Sequence, residues 1–393
     1  MTLALCNACL IKPTETIDHG AVVVSDDGRI AYAGPSDGAP AVRGERVDME
    51  GFTVAPGFVD IHTHGGGGVA FGASGDAAGE LHAYSAWAAR SGVTGFLCSL
   101  AAPDADTLLR TVRAFADALD AGTPGAAALG IHLEGPFLNP ARRGAIPASW
   151  LRPPDHREAD ALIRAGRGWI RMVTLAPELP GAMEAAARFR NAGVVVGLGH
   201  TDADCRTASE ALRGPFAYVT HAFNAMRGFH HREPGAAGAV LASDAITAEL
   251  IADGVHVHPA AITTLLRCLG AERVVLVTDA MPWAGLSDGD HEWLGQTVRV
   301  REGRAMLPNG GLAGSVATLD ACVRNAVRLA GVPLPEAIRM ATLNPARVLG
   351  LDARLGRLAP GMDANLVVLD AQNRIVETIV RGKREPQNTI RKT

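Results

Sequence analysis

Pro56-Gly57-Phe58-Val59-Asp60-Ile61-His62-Thr63-His64 reads as an apolar strand that terminates in His-x-His. Residues two apart on a strand share a face, so both imidazoles can converge on one metal ion. A polar loop that happens to hold two histidines would explain His62 and His64 in isolation, but that alternative weakens at the other apolar runs. Strand-like runs end near Ile61, Ser99, Leu133, Leu175, Leu198, Thr220, Ile251 and Thr278. Amphipathic stretches sit between consecutive runs, including Ala77 to Arg90, Asp104 to Leu119, Gly181 to Asn191, Asp202 to Leu212 and Pro259 to Leu269. This is the βαβα order of a parallel sheet with helical crossovers, and eight such units predict a closed, TIM-like (β/α)8 barrel of the α/β class.

Several of these runs end in residues suited to metal chemistry. Strand three ends in His132-Leu133-Glu134, strand five in Gly199-His200-Thr201, strand six in Thr220-His221 and strand eight in Thr278-Asp279. The C-terminal edges of barrel strands lie on one face, where catalytic residues from different strands meet. A chance scatter of thirteen histidines would not favour that register. Imidazoles with carboxylates suit zinc, iron and related transition metals, whereas an all-oxygen calcium or magnesium cage would not need so many histidines. The spacing therefore predicts one or two divalent ions, zinc foremost, and a hydrolytic site in which Asp279 relays a proton.

The remaining histidines have weaker claims. His19 and His82 read as surface or structural residues, and His156, His230, His231, His258 and His291 have no strand-end position. His132 shares a face with Glu134 and is expected to support a ligand as readily as to be one. His256, in Ala252-Asp253-Gly254-Val255-His256, lies just past strand seven and reads as a substrate contact, while Asp60 is expected to orient the site. Competing chemistries fit poorly. Gly65-Gly66-Gly67-Gly68 lacks the Lys-Ser/Thr of a P-loop and reads as a flexible substrate loop. There is no G-x-S-x-G elbow, and Gly197-x-Gly199 is too short for a dinucleotide fingerprint.

The chain ends read differently from the middle. Residues 20–34 form two strands around an Asp27-Gly28 turn, a further strand is expected near Val47 to Met49, and Ala364 to Leu369 and Ile375 to Val380 are strand-like. The two ends are expected to share a small β domain, residues 1–53 with 351–393, around a barrel of residues 54–350. A chain of 393 residues has room for both, since single cores stop growing at about 250–300 residues. A net charge of −4 with 20% charged residues provides no electrostatic footprint for nucleic acid or anionic membrane, so small-molecule partners are expected. The opening MTLALCNACLIKPTE has neither the charge pattern nor the long apolar run of a secretory signal, which predicts a cytoplasmic location. The six cysteines are too sparse for a disulfide scaffold. Cys6-x-x-Cys9 has no second pair and would point to opposite strand faces, so it reads as coincidence.

With these residues in view the chain resembles the amidohydrolase superfamily, and within it the N-acetylglucosamine-6-phosphate deacetylases. HLEGPF, THAFNAM with REPG, and IADGVHV look like blocks of the deacetylases; PGFVDIHTHGGGG and APGMDANLVVLD look like blocks of the wider superfamily. The resemblance covers nearly the whole chain. It implies a barrel flanked by a small β-sandwich built from both chain ends, and hydrolysis of the N-acetyl group of an amino-sugar 6-phosphate to acetate and free amine. It implies Glu134, His200 and His221 at a principal metal site, His62 and His64 at a second, and Asp279 as general acid/base. Ala145, Asn224, Ala225, His256 and Leu312-Ala313-Gly314 match substrate-contacting positions. Arg232 of REPG matches an arginine that reaches the sugar phosphate from a neighbouring subunit, which implies a homodimer.

The chain departs from the family pattern after HLEGPFLNPARRGA, where Ile146 stands in place of a histidine that holds the substrate carbonyl. Pro282-Trp283 is bulkier than the small residues usual after the catalytic aspartate, so the acyl or sugar pocket is expected to be reshaped, with the Trp283 indole as a substitute donor or an apolar wall. Rival readings are deacylation of another amino-sugar phosphate such as N-acetylgalactosamine 6-phosphate, of an unphosphorylated sugar, or of an N-acyl amino acid. A metal-dependent binding or regulatory protein is the non-enzymatic alternative.

Overall fold

The structure, a computed structural model, describes residues 3–13 and 15–385. The chain begins with β1 (Leu3–Lys12), β2 (Glu15–Val24), β3 (Ile30–Pro35), β4 (Glu45–Asp48) and β5 (Thr53–Pro56). The first barrel strand, β6 (Phe58–Asp60), is followed by a hairpin of β7 (Gly65–Gly66) and β8 (Val69–Ala70). Strand and helix then alternate: α1 (Ala77–Ala89), β9 (Val93–Leu100), α2 (Ala105–Ala121), β10 (Ala127–Glu134), α3 (His156–Gly166) and β11 (Ile170–Leu175). The alternation continues with α4 (Ala182–Asn191), β12 (Val195–Leu198), α5 (Cys205–Arg213), β13 (Tyr218–Val219) and α6 (Gly235–Leu241). β14 (Thr247–Ile251), α7 (Pro259–Leu269) and β15 (Val274–Val277) complete the barrel strands. A meander of β16 (Gly289–Trp293), β17 (Gln296–Arg301) and β18 (Arg304–Met306) precedes α8 (Leu319–Ala330), α9 (Leu334–Ala341) and α10 (Leu343–Val348). The described chain ends with β19 (Leu366–Leu369), β20 (Ile375–Val380) and β21 (Lys383–Arg384).

Among the described residues, eight parallel strands pair in chain order from β6 and β9 through β15. They are the eight runs read from the sequence, in the expected order. The strands are covered on both sides, which is why they read as continuous apolar runs; all of β9 is buried. On β10, Ile131 and Leu133 pack outward against the helices, while His132 and Glu134 occupy the alternate face. Val59, Ile61, Leu97, Met172, Tyr218, Ile251, Val275 and Val277 form a second apolar cluster with Leu349 from the segment after α10. Aspartates set the starts of several helices: the side chains of Asp76, Asp104, Asp155 and Asp204 accept backbone N–H bonds at the first turns of α1, α2, α3 and α5.

Closure runs between β6 and β15. The backbone N–H of Asp279 donates to the His62 carbonyl at 2.8 Å, and that of His64 donates to the Ala280 carbonyl at 2.8 Å. Asp60, wholly buried, accepts a 2.6 Å bond from the Thr278 hydroxyl. These bonds also locate His62, His64 and Asp279, so closing the barrel and placing part of the site are one event.

The chain ends share one mixed sheet in the order β21-β20-β19-β5-β1-β2-β3, with β4 also on β1. Its inward residues, among them Leu5, Leu10, Val22, Val54, Leu366 and Val368, form their own apolar cluster. Two expectations change. Gly65 to Gly68 are not a substrate loop: Gly65 and Gly66 pair with β8, and a Cβ on Gly66 or Gly67 would stand 2.3 or 2.4 Å from the Trp87 ring. Glycine is needed there for close packing. The meander β16 to β18 has no counterpart in the alternation read from the sequence.

Thr278→Val should lower unfolding free energy by about 1–3 kcal/mol, because it leaves the buried Asp60 carboxyl without its hydroxyl partner. Urea denaturation of the metal-stripped protein would measure this, and an unchanged midpoint at unchanged slope would show that closure rests on the backbone bonds alone.

Candidate active site

His62, His64, Glu134, His200, His221 and Asp279 meet at the C-terminal mouth of the barrel. Their ligand atoms fall into two groups, His62 with His64 and Asp279, and Glu134 with His200 and His221, each within 4.8 Å. Glu134 joins the groups: Oε1 lies 3.0 Å from His200 Nε2, 3.3 Å from His221 Nε2 and 3.4 Å from His62 Nε2, while Oε2 lies 3.1 Å from His64 Nε2. Asp279 Oδ1 is 3.5 Å from His62 Nε2 and 3.4 Å from His64 Nε2. The His-x-His pair is delivered just beyond β6, which ends at Asp60, rather than within a regular strand. His200, His221, Phe223, Ala225 and Asp279 all have positive φ, a concentration of backbone strain that marks functional positions.

The outer atoms of the ligands are held. His62 Nδ1 pairs with Glu249 Oε2 at 2.8 Å, and the same oxygen accepts from the His221 backbone N–H at 2.9 Å. His200 Nδ1 donates to the Arg142 carbonyl at 2.8 Å, which leaves its Nε2 as the lone-pair nitrogen. His132 is not one of the gathered ligands. Its ring nitrogens are engaged by Ser99 Oγ at 2.9 Å and Thr174 Oγ1 at 2.8 Å, and its ring meets that of His62 edge-on at 4.5 Å.

A cavity of about 280 Å³ opens over this cluster. His64, Glu134, His200, His221 and Asp279 line it, as do Ala145, Asn224, Ala225, His256, Leu312, Ala313, Gly314 and Ile146. His62 is fully buried beneath. Arg232 does not line the cavity; it is exposed on the loop after β13, its Nη1 2.9 Å from His231 Nε2. Trp283 does not line it either. That indole is buried, stacked on His291 at 5.1 Å and packed edge-on against Trp293 at 5.9 Å, so the expected wall is supplied by Trp293 and Leu294 of the meander and by Trp150.

The matching family is the amidohydrolase family, over residues 53–390. The chain belongs to the amidohydrolase family. It is 40% identical over 330 residues, 84% of this chain and 87% of the relative, to the N-acetylgalactosamine-6-phosphate deacetylase of Escherichia coli O157:H7. It is 34% identical over 385 residues, 97% of this chain and 96% of the relative, to the N-acetylglucosamine-6-phosphate deacetylase of Bacillus subtilis (strain 168). A mutant N-acetyl-D-glucosamine-6-phosphate deacetylase of Mycobacterium smegmatis, solved in complex with N-acetyl-D-glucosamine-6-phosphate, superposes with a TM-score of 0.91 at 38% identity, covering 98% of this chain and 99% of that one.

As an amidohydrolase the chain is a metal-dependent enzyme, and its residues fit a cation. Among the described residues His62 Nε2 is buried without a hydrogen-bond partner, and His200 Nε2 and His221 Nε2 face each other at 3.0 Å. Converging lone pairs and carboxylates have the donor chemistry of a candidate ligand set. The electrostatics agree. Burial alone would depress the His62 and His64 imidazoles, but Glu249, Asp279 and Glu134 raise His62, and Asp279 and Glu134 raise His64 to about 9. Burial likewise opposes ionisation of Glu134 and Asp279, yet the imidazoles prevail and hold both carboxyls low, Asp279 at about 2. Burial raises Asp60 to about 7 against its hydrogen bonds, and burial with the neighbouring His62 keeps His132 low and neutral.

Glu249 and Asp253 were not read from the sequence as site residues. Glu249 is a lone carboxylate in the apolar run Thr247–Ile251, and that incongruity was its signal. Asp253 Oδ2 pairs with His256 Nδ1 at 2.6 Å. Burial works against charge on both, but the pairing raises the His256 pKa and lowers that of Asp253, and the His256 ring lines the cavity.

Metal uptake should release protons at pH 7, because His64 titrating at about 9 is protonated there without a cation and must lose that proton to ligate. Apparent affinity should therefore rise with pH from neutrality to about 9. Calorimetric titration of stripped protein in buffers of different ionisation enthalpy measures the release; zero release would remove His64 from the ligand set.

Proposed function

We propose that this enzyme hydrolyses the N-acetyl amide of an amino-sugar 6-phosphate, first of all N-acetylglucosamine 6-phosphate, to acetate and glucosamine 6-phosphate. The observation that carries this reading is the convergence of the two candidate ligand groups, Asp279 in one of them, on one cavity that also holds the candidate sugar contacts. The relatives named for this reaction support it. N-acetylgalactosamine 6-phosphate is the second substrate to consider, on the strength of the 40% identical relative named for it.

Glu134, His200 and His221 would hold the principal ion, and His62 and His64 a second; nitrogen-rich donors favour zinc over magnesium or calcium, with iron next. A divalent cation held there would polarise the acyl carbonyl and lower the pKa of attacking water. Asp279 accepts the proton of that water, as an ionised carboxylate can, and delivers it to the nitrogen as the C–N bond breaks. Glu249 holds the His62 ring and the His221 backbone in place through the reaction.

Among the described residues no lysine or arginine lines the cavity, so the phosphate needs a guanidinium from outside that lining. Arg232 is exposed on a loop whose Phe229 is 62% exposed, which supports a homodimer in which that loop docks on the partner and Arg232 enters the partner's site. A phosphorylated substrate, too charged to cross membranes, favours a cytoplasmic location. We take residues 54–350 as the catalytic barrel and residues 1–53 with 351–393 as its β domain.

Acetate release from both sugar phosphates and their unphosphorylated forms tests the reading directly, and absence of turnover with metal-loaded protein would sink it. Asp279→Asn should reduce kcat by at least roughly 100-fold with the fold retained; near-normal turnover would move the proton relay elsewhere. Arg232→Ala should raise KM for phosphorylated substrates while leaving neutral sugars unaffected. Equal effects on both would dismiss the phosphate role.

A further inference from the structure

A narrow apolar recess of about 10 Å³ borders the main cavity beside Glu134. Ala101, Glu134, Ile146 and Trp150 line both spaces, and Ala102 and Leu151 help to close the recess beyond them. Apart from Glu134 every one of these side chains is apolar or aromatic. A space of this size is about one probe sphere, the room of a single water molecule, and one methylene group takes up a comparable volume.

The position of the recess around the barrel gives it a use. Ala101 and Ala102 follow β9, and Ile146 and Trp150 follow β10, so the recess lies over strands two and three. Asn224, His256 and Asp279 follow strands six, seven and eight, on the other side of the ligand cluster. An acyl carbonyl carbon held at that cluster carries two divergent substituents. The nitrogen must face Asp279 to receive its proton, which sends the sugar toward strands six to eight and the alkyl group toward strands two and three. Ile146 meets that alkyl group with a hydrocarbon surface, which favours carbon over a polar substituent.

We propose that this recess is an acyl pocket with room for one carbon beyond acetyl, so that the enzyme removes N-propionyl as well as N-acetyl groups from its amino-sugar phosphate. The inference rests on the deacylase reading above. The chemistry is unchanged: water adds its oxygen to the acyl carbon, the C–N bond breaks, the water proton passes to the amine, and propionate leaves in place of acetate.

The test compares kcat/KM of the metal-loaded enzyme on N-acetyl-, N-propionyl- and N-butyrylglucosamine 6-phosphate and the galactosamine series. A pocket closed at acetyl would discriminate against one extra methylene by about 10–200-fold. The expected result is an N-propionyl rate within about tenfold of N-acetyl and a steep fall at N-butyryl; a larger gap at N-propionyl overturns the acyl pocket. Ala102→Leu, which fills the recess, should lower the propionyl-to-acetyl ratio by about tenfold or more, and Leu151→Ala should raise the butyryl-to-acetyl ratio. Thermal melts identify a variant that has not folded, and unchanged ratios in folded variants overturn the assignment. Failure to cleave any member of the panel removes the deacylase reading itself, and a strong acetyl preference with good turnover removes only the recess.

Discussion

The imidazole of His62 is wholly buried and stands within 3.5 Å of three carboxylates: Glu249 on one nitrogen, Glu134 and Asp279 on the other. So much negative charge cannot be kept out of water without positive charge among it. Protons on His62 and His64 supply part of that charge in the polypeptide alone, and a divalent cation supplies it more completely while leaving the imidazoles neutral and ligating. The metal and the protons therefore compete for the same nitrogens. Other features of the mouth follow from this constraint, including the buried Glu249 and the neutral His132, whose ring lies against His62 where a further charge would be repelled.

Such a cluster has to be rigid, because small displacements of a ligand weaken both coordination and proton transfer. The barrel provides rigidity by taking the candidate ligands from the ends of five different strands, His62 and His64 sharing that of β6, and the left-handed backbone at His200, His221 and Asp279 turns those side chains inward as the chain leaves its strand. Closure between β6 and β15 adds a second restraint, since Asp279 and His62 are hydrogen-bonded through their main chains. Loops and insertions carry what can vary: the segment after β10 supplies Ile146 and Trp150, and the meander supplies Trp293 and Leu294. Chemistry on the rim with specificity on the insertions is the arrangement that lets one barrel serve many substrates.

The candidate ligand set was legible because a barrel converts strand endings into neighbours. His62, Glu134, His200, His221 and Asp279 are far apart in the chain, but each terminates an apolar run, and the alternation of runs with amphipathic helices determines that all the endings share one face. The terminal sheet was legible for a different reason, its Asp27-Gly28 turn and paired apolar runs at the two ends. Glu249 was harder to read, because a single acid within an apolar strand has no pattern of its own and gains meaning only from the imidazole opposite. The meander was missed because residues 289–306 belong to no βα unit. Consequently Trp283 was given the place that Trp293 occupies: both are indoles after strand eight, and only the packing of one against the other determines which reaches the cavity.

The cavity is well supplied with groups for amide hydrolysis and poorly supplied with fixed positive charge. His256, paired with Asp253, lines the cavity among the candidate sugar contacts, and one imidazole cannot match the paired oxygens of a phosphate as a guanidinium fork does. Placing an arginine inside the cavity would set a permanent positive charge beside ligands that must attract a metal ion. Keeping Arg232 on an outer loop avoids that conflict: the guanidinium can meet the phosphate at the far end of the sugar, with the length of the substrate between it and the metal cluster. In the proposed dimer each subunit would assemble its metal site alone and complete its phosphate site only by pairing, so metal binding and substrate affinity would respond differently to dissociation of the two chains.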